Sequence, residues 1–222
     1  MALLLHIDTA SPVASVSIAK DGIVIGCKEN KLVNEHASFL QPAIQSMIKD
    51  ARVAITELDA IAVANGPGSY TGLRVGLASA KGLSYALSKP LITIGTLPLM
   101  AHAAAGAEKN ENILYAPMID ARRMEVFTAV YDGAGNEQLS PVAKILDNDS
   151  YVALLLHHKI LFFGSGAEKW RKICTNVNAL FSTDYNILQS FAQLALEAYK
   201  LNQFAALAYS EPQYLKEFYT GK

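Results

Sequence analysis

Reactive and anchoring features are scarce in this chain of 222 residues. Its two cysteines, Cys27 and Cys174, form no Cys-x-x-Cys pair. That excludes a zinc ribbon or a disulfide framework and suits a reducing compartment. Cys27 falls in a strand-like run and is expected as a small buried hydrophobe. Neither sign of charge dominates, with 19 Lys and Arg against 20 Asp and Glu. This balance argues against strong nucleic-acid binding by the chain alone, which needs clustered cations to neutralise phosphates. The short clusters Arg122-Arg123 and Lys169-Trp170-Arg171-Lys172 read as solvated faces. No apolar run approaches the ~20 residues of a membrane-spanning helix. The opening Met1 to Asp8 has no basic stretch and meets a carboxylate too early for a secretion signal. The expected setting is cytoplasmic, with no membrane partner.

Metal and nucleophile signatures are missing too. Two histidines at i and i+4 on one helical face can share a metal, but His36 is followed at that spacing by Leu40. His102 has Pro98 and Gly106 at four residues on either side, and the adjacent His157 and His158 point apart. There is no Gly-x-Ser-x-Gly elbow, and Ser69 has no evident His and Asp partners. No cofactor is expected.

The most informative stretch that is present runs Asn65-Gly66-Pro67-Gly68-Ser69-Tyr70-Thr71-Gly72-Leu73-Arg74-Val75-Gly76. It follows an apolar strand-like run, Ala60 to Ala64, and opens a helical pattern reaching about Ser88. Glycines here permit angles and approaches that a Cβ forbids, beside a helix N-terminus with free N–H groups. The stretch is no P-loop, because no Gly-Lys-Ser/Thr closes it. Nor does its G-x-G-x-x-x-G spacing match the dinucleotide fingerprint.

A second signal is an internal echo. Leu3 to Gly22 reads as a strand ending in Ile7-Asp8, a polar turn, a strand from Val13 to Lys20, and Asp21-Gly22. Tyr115 to Gly133 repeats the plan, with Ile119-Asp120, a strand from Glu125 to Tyr131, and Asp132-Gly133. Asp-Gly favours a tight hairpin turn, since both residues tolerate positive φ. Around these lie a third strand Ile23 to Glu29, a helix near 35–50 containing Pro42, a strand at 91–95 and a helix from Thr96. A strand at 160–163 and a helix at about 190–202 complete the pattern. The expectation is α/β: two lobes with mixed sheets flanked by helices, over 1–105 and 106–222. The C-terminal segment is expected to pack back on the first lobe.

In this order, Ile7-Asp8-Thr9, Glu35-His36, the glycine block, Ile119-Asp120-Ala121-Arg122 with Glu125-Val126, and Pro212 to Lys216 resemble the TsaB family of tRNA threonylcarbamoyladenosine biosynthesis proteins, also called YeaZ. The resemblance is collinear over essentially the whole chain, with Tyr70 where the family usually has Phe and Lys216 where Arg is common. It implies the actin/Hsp70/sugar-kinase fold. It also implies a non-catalytic subunit in t6A modification of tRNA, at the adenosine 3′ of the anticodon. The catalytic partner would be the paralogue TsaD, with the ATPase subunit TsaE joining through the complex and tRNA met only within it. TsaD carries a metal-binding His-x-x-x-His; the corresponding positions here are Thr96 and Met100.

A nucleotide site of this fold class uses an Asp-x-Gly-Thr-like turn, whereas Asp8-Thr9-Ala10-Ser11 has Ala10 in place of glycine. Asp120-Ala121-Arg122-Arg123 has no glycine either. Asp8, Thr9, Ser11, Asp120, Gly164 and Gly166 are the candidate vestigial nucleotide contacts. Asp8 and Asp120 also read simply as strand-end residues accepting backbone N–H groups. The helix at 70–88 carries a small-residue ridge, Gly72, Gly76, Ser79, Gly82 and Ala86, although glycine costs a helix roughly 1 kcal/mol relative to alanine. Through the family's mode of pairing, Phe39, Ala43, Met47, Gly72, Gly76, Ser79 and Gly82 are the candidate partner contacts. Packing of the ridge inside the lobe is left open beside this, as is a homodimer when the chain stands alone. Rival functions are a small-molecule kinase or ATPase of the same fold, or a self-associating structural protein.

Overall fold

The computed structural model describes residues 1–30, 36–108, 110, 112–182 and 185–216; Glu35 lies outside them. The chain divides into two compact units, one of Met1–Thr96 with Ile187–Gln213, the other of Leu97–Asn186 with the tail from Tyr214. The boundary expected after residue 105 falls inside a helix that runs to Glu108. Alanine is the strongest helix former, so the alanine run after His102 extends the helix, and the division falls at its start.

The first unit is built on β1 (Leu3–Asp8), β2 (Ala14–Lys20), β3 (Ile23–Asn30), β4 (Ala60–Ala64) and β5 (Leu91–Ile94), ordered β3-β2-β1-β4-β5. β1 to β3 form an antiparallel meander, while β4 and β5 add in parallel. Asp21 and Gly22 turn the β2–β3 hairpin with φ of 49° and 77°, the left-handed pair that matches strand twist. α1 (His36–Ala51) and α2 (Tyr70–Leu87) connect the strands, and α6 (Ile187–Lys200) returns to the same sheet. Alternation along β1 sorts its side chains between the two helical layers. Leu5 and Ile7 join Val16, Ile18, Ile61 and Val63 against Leu40, Ile44, Met47 and Leu77 of α1 and α2. Each such fully buried aliphatic side chain contributes about 1.5–3 kcal/mol. His6 faces the other way, its ring 5.2 Å from that of Phe191 on α6.

The second unit repeats the topology. α3 (Thr96–Glu108) leads into β6 (Ile113–Asp120), β7 (Glu125–Tyr131), β8 (Glu137–Ile145), β9 (Lys159–Phe163) and β10 (Ala179–Phe181), ordered β8-β7-β6-β9-β10. Again the first three are antiparallel and the last two parallel. The connecting helices are brief, α4 (Val152–Leu155) and α5 (Ala167–Arg171). Here the Asp-Gly reading needs correction. The β7–β8 turn closes between Asp132 and Asn136, and its left-handed residue is Gly135, φ 87°, not Gly133. Asp132 holds this longer loop by accepting from the N–H groups of Ala134 and Asn136. Cys27 is likewise corrected: it is on β3 but exposed, because it alternates with the residues that face α1 on this edge strand.

His6 and Asp8 share the α6-facing side of β1, and both are buried. Burial holds the His6 imidazole down at about 4, against a weaker opposing hydrogen bond that the ring donates to the Ser17 carbonyl. Burial pushes the Asp8 carboxyl up to about 6, although the Ala10 N–H it accepts favours the charged form. The two oppose each other in one pH window. A raised carboxyl pKa means the unfolded chain loses its proton first, so raising the pH from 3.8 to about 6 lowers stability through Asp8. A depressed imidazole pKa means that lowering the pH from 6.5 to about 4 lowers stability through His6. Asp8→Asn is therefore expected to stabilise the protein above pH 6, by up to about 3 kcal/mol, with the gain vanishing below pH 3.8. Denaturant titrations should also show the variant's stability climbing with pH between 4 and 6.5 as the His6 contribution is unmasked. An equal shift at every pH would refute the Asp8 assignment.

Candidate functional site: the glycine seam and the outer helix face

β1 and β4 lie side by side and parallel, which brings the turn after β1 against the glycine block after β4. The contact is backbone on backbone. The Ser69 N–H donates to the Ala10 carbonyl at 2.7 Å, and the Thr9 hydroxyl donates to the Gly72 carbonyl at 2.7 Å. A Cβ at Gly68 would stand 2.4 Å from the Ala10 carbonyl oxygen. At Gly72 it would stand 2.0 Å from the Thr9 carbonyl oxygen, and at Gly76 2.2 Å from Thr9 Oγ1. Gly66, φ 118°, makes a similar approach, with a Cβ 2.5 Å from the Gln213 carbonyl oxygen. Ser69 caps α2, its hydroxyl accepting from the Gly72 N–H. The block is thus a seam that seats the first turn of α2 directly on the hairpin turn.

This corrects four candidate contacts. Gly72 and Gly76 face Thr9 of their own unit, and Ala43 and Met47 are buried in its core. The ridge splits because a straight helix of 3.6 residues per turn rotates a 72-to-82 row by roughly 80°. Its early members point inward, while Gly82 is exposed with nothing within 4 Å of its Cβ position. Ser79 is half-buried and accepts from Gln41 of α1 at 3.2 Å. Phe39 is half-buried at the core's margin. The outward stripe of this helix pair runs through Gln41, Pro42 and Gln45 on α1 and Ala78, Gly82 and Ala86 on α2, beside the exposed Tyr85.

The vestigial nucleotide positions are engaged within their own units. Asp8 Oδ1 accepts from the Ala10 N–H at 2.9 Å, Thr9 is bound to Gly72, and Ser11 donates to the Val13 carbonyl. In the second unit, Asp120 Oδ1 accepts from the Arg122 N–H at 2.6 Å and from Lys169 Nζ at 2.8 Å. Burial pushes the Asp120 carboxyl up, yet these two donors outweigh it and hold it below the usual carboxylate range. Its N–H donates to Ser165 Oγ. Gly164, φ 97°, would put a Cβ 2.5 Å from the Met118 carbonyl oxygen, and Gly166 one 2.6 Å from Val126 Cγ1. Both glycines are where the backbone crosses close over β6 and β7. Among the described residues no three His, Cys, Asp or Glu side chains cluster to hold a metal, and no helix is long and apolar enough to cross a membrane. Thr96 and Met100 are both buried. The Lys169 contact was not legible in the sequence, since nothing in the residue pattern links it to Asp120.

Two mixed sheets of one strand order, flanked by helices, define the two-lobed actin/Hsp70/sugar-kinase-like class. Within that class the chain belongs to the family described as TsaD, tRNA N6-adenosine threonylcarbamoyltransferase, whose model matches residues 29–220. Its similarities fall on the TsaB/YeaZ side of it. It is 28% identical to the tRNA threonylcarbamoyladenosine biosynthesis protein TsaB of Escherichia coli, over 96% of this chain and 94% of that one. It is 34% identical to TsaB of Bacillus subtilis over 58% of this chain, a match that spans only 54% of that protein. The solved YeaZ of Pseudomonas aeruginosa superposes with a TM-score of 0.77 at 25% identity, over 97% of this chain and 100% of that one. Component A of the Acidaminococcus fermentans (R)-2-hydroxyglutaryl-CoA dehydratase shares the fold, with a TM-score of 0.54 at 12% identity, covering 91% of this chain and 100% of that one.

The seam makes opposite demands on two glycines of one helix. Gly72→Ala must displace a backbone carbonyl and is expected to destabilise by about 2 kcal/mol or more. Gly82→Ala meets open space and should stabilise by roughly 1 kcal/mol through helix propensity. Thermal melts of the two variants check this, and equal effects would refute the seam.

Proposed function

We propose that this chain is the non-catalytic scaffold and activator subunit for t6A modification of tRNA at the adenosine 3′ of the anticodon. It pairs with a catalytic TsaD-type paralogue, and through that complex with a TsaE-type ATPase subunit, in the cytoplasm. The family match and the TsaB relatives support the pathway. The observation that supports a non-catalytic role is the seam. A phosphate-binding turn needs free backbone N–H groups facing an open approach, but here the Ala10 N–H is taken by Asp8 and α2 is seated on the turn. The kinase or ATPase alternative meets the same obstacle. The partner surface we assign is the outward stripe centred on Gly82 and Ser79, with Phe39 at its margin. The short side chains on its α2 side, Ala78, Ser79, Gly82 and Ala86, would let a partner helix approach closely.

Depleting the protein in its host and measuring tRNA nucleosides by mass spectrometry should show t6A falling; unchanged t6A would overturn the reading. The isolated chain should hydrolyse no ATP. Gly82→Leu should leave the chain's melting temperature at or above the parent's while weakening association with the TsaD-type partner at least tenfold, because interface cores tolerate little added volume. Calorimetric titration showing parental affinity would exclude Gly82 from the interface.

A further inference from the structure

The β6–β7 turn carries a feature that neither the seam nor the partner face uses. Arg122 and Arg123 are both left-handed, with φ of 69° and 47°, a conformation that Asn and Gly adopt with less strain. Both are exposed. The carboxylates beside them are already matched by other cations. Asp120 pairs with Lys169 at 2.8 Å and Glu125 with Lys216 at 2.5 Å. Lys169 also donates to the Glu125 carbonyl at 3.2 Å, which fixes it over the turn. Among the described residues no carboxylate pairs with either arginine. Among the described residues of the turn and its two lysines, four cations then stand against two carboxylates, and the two unmatched charges are the exposed arginines.

We infer that Arg122 and Arg123 form a phosphate-contacting point, and that its ligand is the backbone of the tRNA. This deepens, and rests on, the t6A reading above. A guanidinium fork matches phosphate oxygens two at a time. Lysines pinned to the turn's own carboxylates keep those carboxylates from capturing the arginines or repelling the nucleic acid. The near-neutral charge of the whole chain fits a contact that adds affinity inside a complex and is weak when the chain stands alone.

The test replaces the turn with the pair its backbone prefers, Arg122→Asn with Arg123→Gly, in the full chain combined with the TsaD-type protein of the same genome. Binding of an unmodified tRNA transcript is followed across salt concentrations. Since each phosphate-contacting cation adds about one to the salt slope, the slope should fall by about two, while the melting temperature of the chain rises. Arg122→Lys with Arg123→Lys, which keeps the charges, should restore most of the slope. Parental affinity and slope in the Asn-Gly variant would overturn the inference. So would loss of the protein complex itself on size exclusion, which would mean the arginines face an acidic surface of the partner protein. Failure here leaves the t6A reading standing, because that depends on the depletion experiment, where the arginines are intact.

Discussion

One backbone contact sets the terms for much of the first unit: the carbonyl of Thr9 against the α-carbon of Gly72. Because no methyl fits between them, α2 descends onto the end of β1 and its neighbours Leu73, Leu77 and Ala80 reach into the core with Ile7 and Val63. The Ala10 carbonyl takes the Ser69 N–H, which the helix itself leaves unpaired, and the Gly72 carbonyl takes the buried Thr9 hydroxyl. Several glycines in one helix cost stability only if nothing offsets them. Here the offset is a seam in which hydrogen bonding and close packing depend on the same missing side chains.

The second unit uses the same strand order with a different balance. Its counterpart of the β4–α2–β5 crossover is β9–α5–β10, and Gly164-Ser165-Gly166 stands where Gly66-Pro67-Gly68 stands in the first. But α5 has five residues where α2 has 18. Such short helices bury little, so large rings supply the area: Tyr151, Phe162, Trp170 and Phe181 pack with centroids 5.0 to 5.9 Å apart. Aromatic side chains bury more surface per residue than aliphatic ones, which lets a sheet be covered by one or two helical turns.

The unequal covering also explains what could be read in advance. The strands of both hairpins, β4, α2 and the start of α3 were legible because their apolar periods are strong, with Asp21-Gly22 and Gly66-Pro67 as punctuation in the first unit. β8 was not, since its residues alternate between exposed and half-buried and include Pro141; neither was the three-residue β10. α4 and α5 are too short to show a helical period. For the site, Asp8 and Asp120 as acceptors of turn N–H groups could be read from residue type, and their structure agrees. The inward turn of Gly72 and Gly76 could not. A row of small residues says that something approaches closely, but it does not say whether that neighbour belongs to the same chain.

The two hairpin turns, equivalent in topology, therefore end in opposite conditions. At the first, the helix seam engages the turn, so Thr9 serves the fold. At the second, the side chain of Asp120 is held by Lys169, and Arg122 and Arg123 remain exposed. Left-handed arginines are strained, by roughly 1–2 kcal/mol each, and both side chains are exposed. Covering one turn with a helix removes a surface that could receive an anion. At the other, Asp120 and Glu125 are each matched by a lysine while the two arginines stay exposed.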